Sequence, residues 1–278
     1  MNIQFFLVRG LARESAHWGE FPGLLNEAFP GSSVRCLEIY GSGKFWRKST
    51  PWTMGGIARG LRSQFLDFTN QDEADGASAT ERPRNIVVSM SLGAMATLDW
   101  VSGHPGEVDG VVLMNTSVGG LSPFLKRLQP ASFKSLVKVA AQKNSQQREA
   151  VVLDLVSNNG TARAQAMPAW TEIRDARPVS VSNSLRQIIA AASYFPGSRI
   201  GRKSLPPTLI LKSEGDRMVD PSCSDALAGA LECDLRAHPH AGHDLTLDDA
   251  DWVVEQLREW ISEHADLHDV QESSGHGR

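Results

Sequence analysis

An α/β domain built on a mainly parallel sheet is the fold class this sequence predicts, and two observations predict it. Short, β-branched apolar runs alternate with helical patterns along the chain. Several of those runs are apolar at consecutive positions, as strands covered on both faces are. The strand candidates are residues 5–8 (FFLV), 34–39 (VRCLEI), 85–88 (NIVV), 110–114 (GVVLM), 207–211 (PTLIL) and 233–237 (CDLRA).

The helices fall between them. One spans about 18–29 and a second about 54–68. A third, 92–102, stops at Gly103-His104-Pro105, where a glycine and then a proline end the helical path. A fourth starts at Asp220-Pro221, a capping acid before a first-turn proline. The last, about 247–264, sets Trp252/Val253, Gln256/Leu257 and Trp260/Ile261 on one stripe, with Asp248, Asp249 and Asp251 at its positive end. Residues 71–84 (QDEADGASATERPR) read as a polar surface loop, and residues 265–278 as a polar, disordered tail. From Ser117 to Ser204 only helical patterns appear, at 123–128, 133–141, 146–155 and 181–192. A helical insertion of this kind is placed to cover the C-terminal ends of the strands, where parallel sheets hold ligands.

Composition narrows the class. The chain has 278 residues, 41% hydrophobic and 22% charged, which suits an ordinary globular protein of one large domain or two small ones. A net charge of -4, from 28 basic and 32 acidic residues, gives no electrostatic case for nucleic acid or an anionic membrane. The uncharged core stretch 86–98 is broken by Ser89, Ser91 and Gly93 and falls short of a membrane span. The first nine residues lack the pattern of a signal peptide. Three cysteines, Cys36, Cys223 and Cys233, form no C-x-x-C pair, so the cytosol is the expected compartment, without a disulfide scaffold or thiolate metal site.

The chemistry concentrates in residues 85–96 (NIVVSMSLGAMA). A strand ends at Met90 and a helix begins directly after Ser91, with small residues, Ser89 and Gly93, two positions to either side. That is the geometry of a nucleophile elbow, in which a serine occupies a strained strand-to-helix turn and its flanks stay small so that backbones can approach. The helix start also offers free N–H groups to an oxyanion. Ser89 stands where the G-x-S-x-G pattern has its first glycine. An ordinary βα turn carrying a serine is the bland alternative, and the partners decide against it. Asp216 follows the strand at 207–211 in a loop ahead of a helix; Asp220 is needed as a cap and Glu214 lies too near the strand. His243 follows the last strand, with Gly242 permitting a sharp turn. Ser91, Asp216 and His243 thus occur in the chain order of a nucleophile, acid and base, each after a strand.

With those residues in place the chain resembles the α/β-hydrolase superfamily over nearly its whole length. Val8-Arg9-Gly10-Leu11 is similar to the family's His-Gly-x strand end, and residues 37–43 (LEIYGSG) to its D-x-x-G-x-G loop. The resemblance implies an α/β-hydrolase fold with oxyanion donors at the backbone N–H groups of Leu92 and Leu11. It further implies a core at 1–116 and 205–264 and a helical cap at 117–204. Only eight residues precede Arg9, so the family's first two strands are expected to be missing. Arg9 replaces the usual histidine; a structural role for it is favoured over a contact with an anionic substrate group. Trp18 and Trp170 are candidates to line the pocket, with packing the safer expectation for both.

Other motifs are set aside. His238-x-His240-x-x-His243 matches part of a zinc motif, but Gly242 stands at its aspartate position. Ser135-x-x-Lys138 lies in a helical pattern with no K-T-G following. The expected function is hydrolysis of a small-molecule ester through Ser91, His243 and Asp216, with no cofactor, metal, nucleic acid or membrane span, and no particular oligomeric state. Thioester, amide and carbon–carbon hydrolysis, acyl transfer and haloperoxidation use the same three residues, and a non-catalytic ligand-binding relative is the contrasting class. Epoxide and haloalkane hydrolysis are disfavoured, because relatives with those activities carry an aspartate where Ser91 stands. Nothing in the sequence marks a lipase-type interfacial surface.

Overall fold

The computed structural model describes residues 2–74, 82–197, 200 and 205–264. Among these, six strands form one sheet: β1 (Ile3–Val8), β2 (Ser33–Leu37), β3 (Arg84–Met90), β4 (Gly110–Met114), β5 (Thr208–Ser213) and β6 (Asp234–His238). All neighbours are parallel, in the order β2-β1-β3-β4-β5-β6. The order reverses direction at β1/β3, so β1 and β3 end side by side at the switch point where such sheets place ligands.

The central strands β1, β3, β4 and β5 are largely apolar on both faces because both are covered, whereas the edge strands β2 and β6 are only partly buried. Phe6, Val8, Val87, Val111 and Ile210 face α2 (Met54–Ala74), α3 (Leu92–Gly103) and α9 (Ser222–Leu231). The alternate residues Phe5, Leu7, Val88, Val112 and Leu211 face α1 (Phe21–Ala28) and α11 (Ala250–Glu263). Trp260 on α11 fits because Gly110 has no side chain: a Cβ there would lie 2.9 Å from the indole. The stripe that the sequence places on the last helix, including Val253, Leu257 and Trp260, is buried in this layer.

Between β4 and β5 run α4 (Phe124–Arg127), α5 (Pro130–Ala141), α6 (Ser145–Val156), α7 (Gly160–Ala176) and α8 (Val181–Ala192). Helix α7 is absent from the sequence reading. Pro168 lies inside it and obscures the periodicity, while Asn159 caps it by accepting the N–H groups of Thr161 and Ala162.

Boundaries also differ from expectation, three of them in ways the sequence explains. The helix expected at 18–29 is broken at Gly19, which has φ +56° and separates a short 3-10 turn (Ser15–Trp18) from α1. The helix expected at 247–264 is divided by Asp249 into α10 (Leu245–Asp248) and α11, because Asp244 and Asp249 each cap a helix start with a carboxylate. Helix α2 continues to Ala74, into the expected loop, and β3 opens within it at Arg84; residues 75–81 of that loop and the expected tail, 265–278, lie outside the described residues.

Candidate active site

Ser91 sits between β3 and α3 with φ 55° and ψ −119°, a conformation that L-residues adopt only when their surroundings force it. The forcing contacts are visible. Its N–H donates to Met114 O at 2.8 Å, and its own carbonyl accepts from Thr116 Oγ1 at 2.8 Å. The small neighbours are required by close packing. A Cβ at Gly93 would stand 2.4 Å from Arg9 O, and one at Gly10 would stand 3.1 Å from Ser91 Cβ, so α3 and the end of β1 meet backbone to backbone. Ser89 is tolerated in the first small position because its hydroxyl donates to Val112 O at 3.2 Å.

His243 and Asp216 lie at the ends of β6 and β5. His243 Nδ1 is 2.8 Å from Asp216 Oδ2, and both side chains are buried. The other oxygen of Asp216 accepts the N–H groups of Met218 at 2.7 Å and Val219 at 3.0 Å, which fixes the carboxylate. Burial disfavours the imidazolium, but the charge and hydrogen bond of Asp216, helped by Asp244, outweigh it and raise the His243 pKa above its ordinary value. The rejected acids stand elsewhere: Glu214 is exposed and pairs with Lys212, and Asp220 accepts from Ser222 N and Oγ at the start of α9, where Pro221 rather than Asp220 is the capping residue.

Ser91 and His243 line one cavity of about 290 Å³, together with Arg9, Gly10, Leu11 and Met90 from the sheet side. Its far wall comes from α5, α6 and α8 through Leu136, Val139, Val152, Leu155, Leu185 and Ile188. Leu11 follows β1 and Leu92 opens α3; neither backbone N–H has an acceptor among the described residues, so both are free to bind a developing oxyanion.

Arg9 lines the cavity but is engaged. Its guanidinium meets Asp244 in a buried, two-point ion pair (Nη2 to Oδ2, and Nη1 to Oδ1 at 3.2 Å) and lies over the ring of Trp18 at 4.7 Å. Trp18 and Trp170 are buried and do not line the cavity: Trp18 packs on Phe21, and Trp170 packs beneath Arg13 and His17. His238 is tied to Asp249 at 3.1 Å and to the N–H of Ala241, while His240 is exposed, so the three histidines of the zinc-like motif point to different places. Ser135 Oγ donates to Ala131 O and Lys138 is exposed on α5.

Three supporting residues escaped the sequence reading. Asn115, at the end of β4 with φ 45°, donates to His243 O at 2.8 Å and Ser213 Oγ at 2.9 Å, and accepts Ser213 N–H at 2.8 Å. Asp248 accepts Gly242 N–H at 2.7 Å and Asn158 N–H at 2.8 Å. Asn158 in turn donates to Gly215 O and His240 O. These bonds bind the loops carrying Asp216 and His243 to each other and to the α6–α7 junction. Asn115 is the first residue of a polar run after β4, whereas Asn158 follows α6 and Asp248 closes α10, positions that carry no such signal.

The comparisons with known proteins agree with this architecture. The model of a family described as the alpha/beta hydrolase family matches residues 5–256, and the chain belongs to that family. Among solved structures it is similar to 2-hydroxy-6-oxo-6-phenylhexa-2,4-dienoate hydrolase from Rhodococcus sp. strain RHA1, at 18% identity and a TM-score of 0.71 over 94% of this chain and 91% of that one. An esterase from Rhodococcus sp. ECU1013 gives 18% identity and 0.70 over 94% and 90%. A lipase-esterase related protein from Clostridium acetobutylicum gives 14% identity and 0.66 over 94% of both chains. Comparison with curated proteins gives no significant match.

Proposed function

We propose that this chain is a serine esterase in which Ser91 attacks the carbonyl of a small-molecule carboxylic ester. The observation that carries the reading is a serine in a strained turn sharing its cavity with a histidine that pairs, at 2.8 Å, with a buried aspartate. Asp216 holds His243 with Nδ1 protonated, which leaves Nε2 to take the proton of Ser91. The hydroxyl oxygen bonds to the ester carbon, and the N–H groups of Leu11 and Leu92 stabilise the oxyanion. The imidazolium of His243 then protonates the departing alcohol. Water, activated by the same histidine, adds to the acyl-enzyme and releases the acid.

The esterase named among the structural neighbours accords with this choice, and no step needs a metal or cofactor. The apolar far wall suits a modest apolar acyl or alcohol group, and the helices α4–α8 serve as a cap over residues 1–116 and 205–264. A panel of nitrophenyl esters of increasing acyl length, assayed beside Ser91→Ala, tests the reading. Turnover that peaks at an intermediate chain length and falls at least about 10³-fold in the variant supports it; turnover that survives the substitution refutes it.

A further inference from the structure

The overall negative charge conceals a segregation. Between Ser117 and Arg148 the chain has six basic residues (Lys126, Arg127, Lys134, Lys138, Lys143, Arg148) and no acid, and no acid occurs in α8. The acids of the insertion, Glu149, Asp154, Glu172 and Asp175, all lie on α6 and α7. The apolar surface segregates the same way. Apart from Trp52, every large hydrophobic side chain exposed among the described residues belongs to α4, α5, α8 or their immediate flanks. Phe133 is 60% exposed, Leu125 64% and Val181 80%.

On α5 the exposed Phe133 and Val137 form an i, i+4 row beside the exposed Lys134 and Lys138, an apolar row flanked by a cationic one. Arg127 is turned inward, donating to the carbonyls of Ala191 and Ala192, and Lys126 lies 4.0 Å from Asp220; Lys134, Lys138 and Lys143 have no acidic partner among the described residues. The cavity reaches the surface on this face, since Val181 and Leu185 both line it and are exposed.

We infer that the face formed by α4, α5 and α8 docks on an anionic lipid surface. Exposed Phe and Leu side chains enter the headgroup–acyl boundary, while the lysines beside them meet lipid phosphates. A second copy of the chain fits less well: a twofold contact would set this acid-free face against itself and oppose like charges. Docking here would turn the cavity mouth toward the lipid. The inference concerns the surface and does not depend on the chemistry assigned to Ser91.

Cosedimentation of the full chain with phosphatidylcholine vesicles, with and without phosphatidylglycerol, tests it. Binding is expected only with phosphatidylglycerol and should weaken as salt is raised. Phe133→Asp, and separately Lys134→Glu with Lys138→Glu, should each cut the partition coefficient about tenfold or more. None of these residues lines the cavity and all are exposed, so the variants should keep the native circular-dichroism spectrum and thermal midpoint, which reports that they are folded. The inference is overturned if the native chain fails to bind phosphatidylglycerol vesicles, if the variants bind as the native chain does, or if Phe133→Asp instead dissociates a dimer in sedimentation velocity.

Discussion

At the scale of single residues, the coupling of His243 to two carboxylates makes activity depend on pH in a definite direction. In the proposed mechanism His243 acts as base only when neutral, and its pKa is raised. The kcat/KM profile should therefore rise through an apparent pKa above the ordinary 6.5 of histidine. The stabilising effect of the same pairing has the opposite sense: it is fully present below the unfolded pKa and disappears as pH climbs through the folded one. Asp216→Asn should leave the fold intact but present the wrong tautomer, lowering kcat by roughly 10⁴. Arg9 makes a separate prediction. Burial would raise the pKa of Asp244, but Arg9 overrides it and holds the carboxyl below its ordinary value, so that pair stabilises the fold above pH 3.8 and weakens as pH falls through the folded pKa. Arg9→Met would strand Asp244 as a buried, unpaired charge. A loss of about 3–5 kcal/mol in urea unfolding is expected, shrinking as the pH is lowered and Asp244 is protonated.

At the scale of elements, the active loops are held by backbone approach as much as by side chains. Gly93→Ala would push α3 off the end of β1, because its Cβ would meet Arg9 O at 2.4 Å. Gly242→Ala would collide with Val156 O at 2.6 Å, at the C-terminal end of α6. Both variants should lose kcat through displacement of Ser91 or His243; Asn115→Ala should do so with a stability loss of about 1–3 kcal/mol, since it leaves buried donors and acceptors unpaired. The strained turn at Ser91 is legible in the sequence because its constraints are local: a strand end, a small residue on each side, a helix start. The proximity of Asp216 and His243 is legible because each follows a strand in order. Asn115, Asp248 and Asn158 were hidden for the converse reason. Their partners lie far along the chain, and an asparagine after a strand reads equally well as a plain turn residue. Helix α7 was hidden by Pro168. Trp18 and Trp170, candidates for the pocket with packing the safer expectation, take the packing role: each ring is covered by an arginine and packed against its neighbours.

At the scale of the whole molecule, the helical insertion is joined to the sheet unevenly. Around the α6–α7 junction it is bonded to both active loops, through Asp248, Asn158 and the donation of Asp244 N–H to Val156 O at 2.7 Å. Helices α5 and α8 instead present exposed apolar side chains beside the cavity. Hydrogen exchange should accordingly show stronger protection at the end of α6 than in α5. Charge was the least legible property at this scale, because a net value averages the acid-free face of α4, α5 and α8 with the acidic remainder. The central claim is that this fold activates Ser91, and covalent labelling tests it most directly. Incubation with a fluorophosphonate followed by peptide mass spectrometry should find one adduct, on Ser91, absent in Ser91→Ala and formed far more slowly in His243→Ala. An unlabelled native protein, or an adduct at any other serine, would contradict the account.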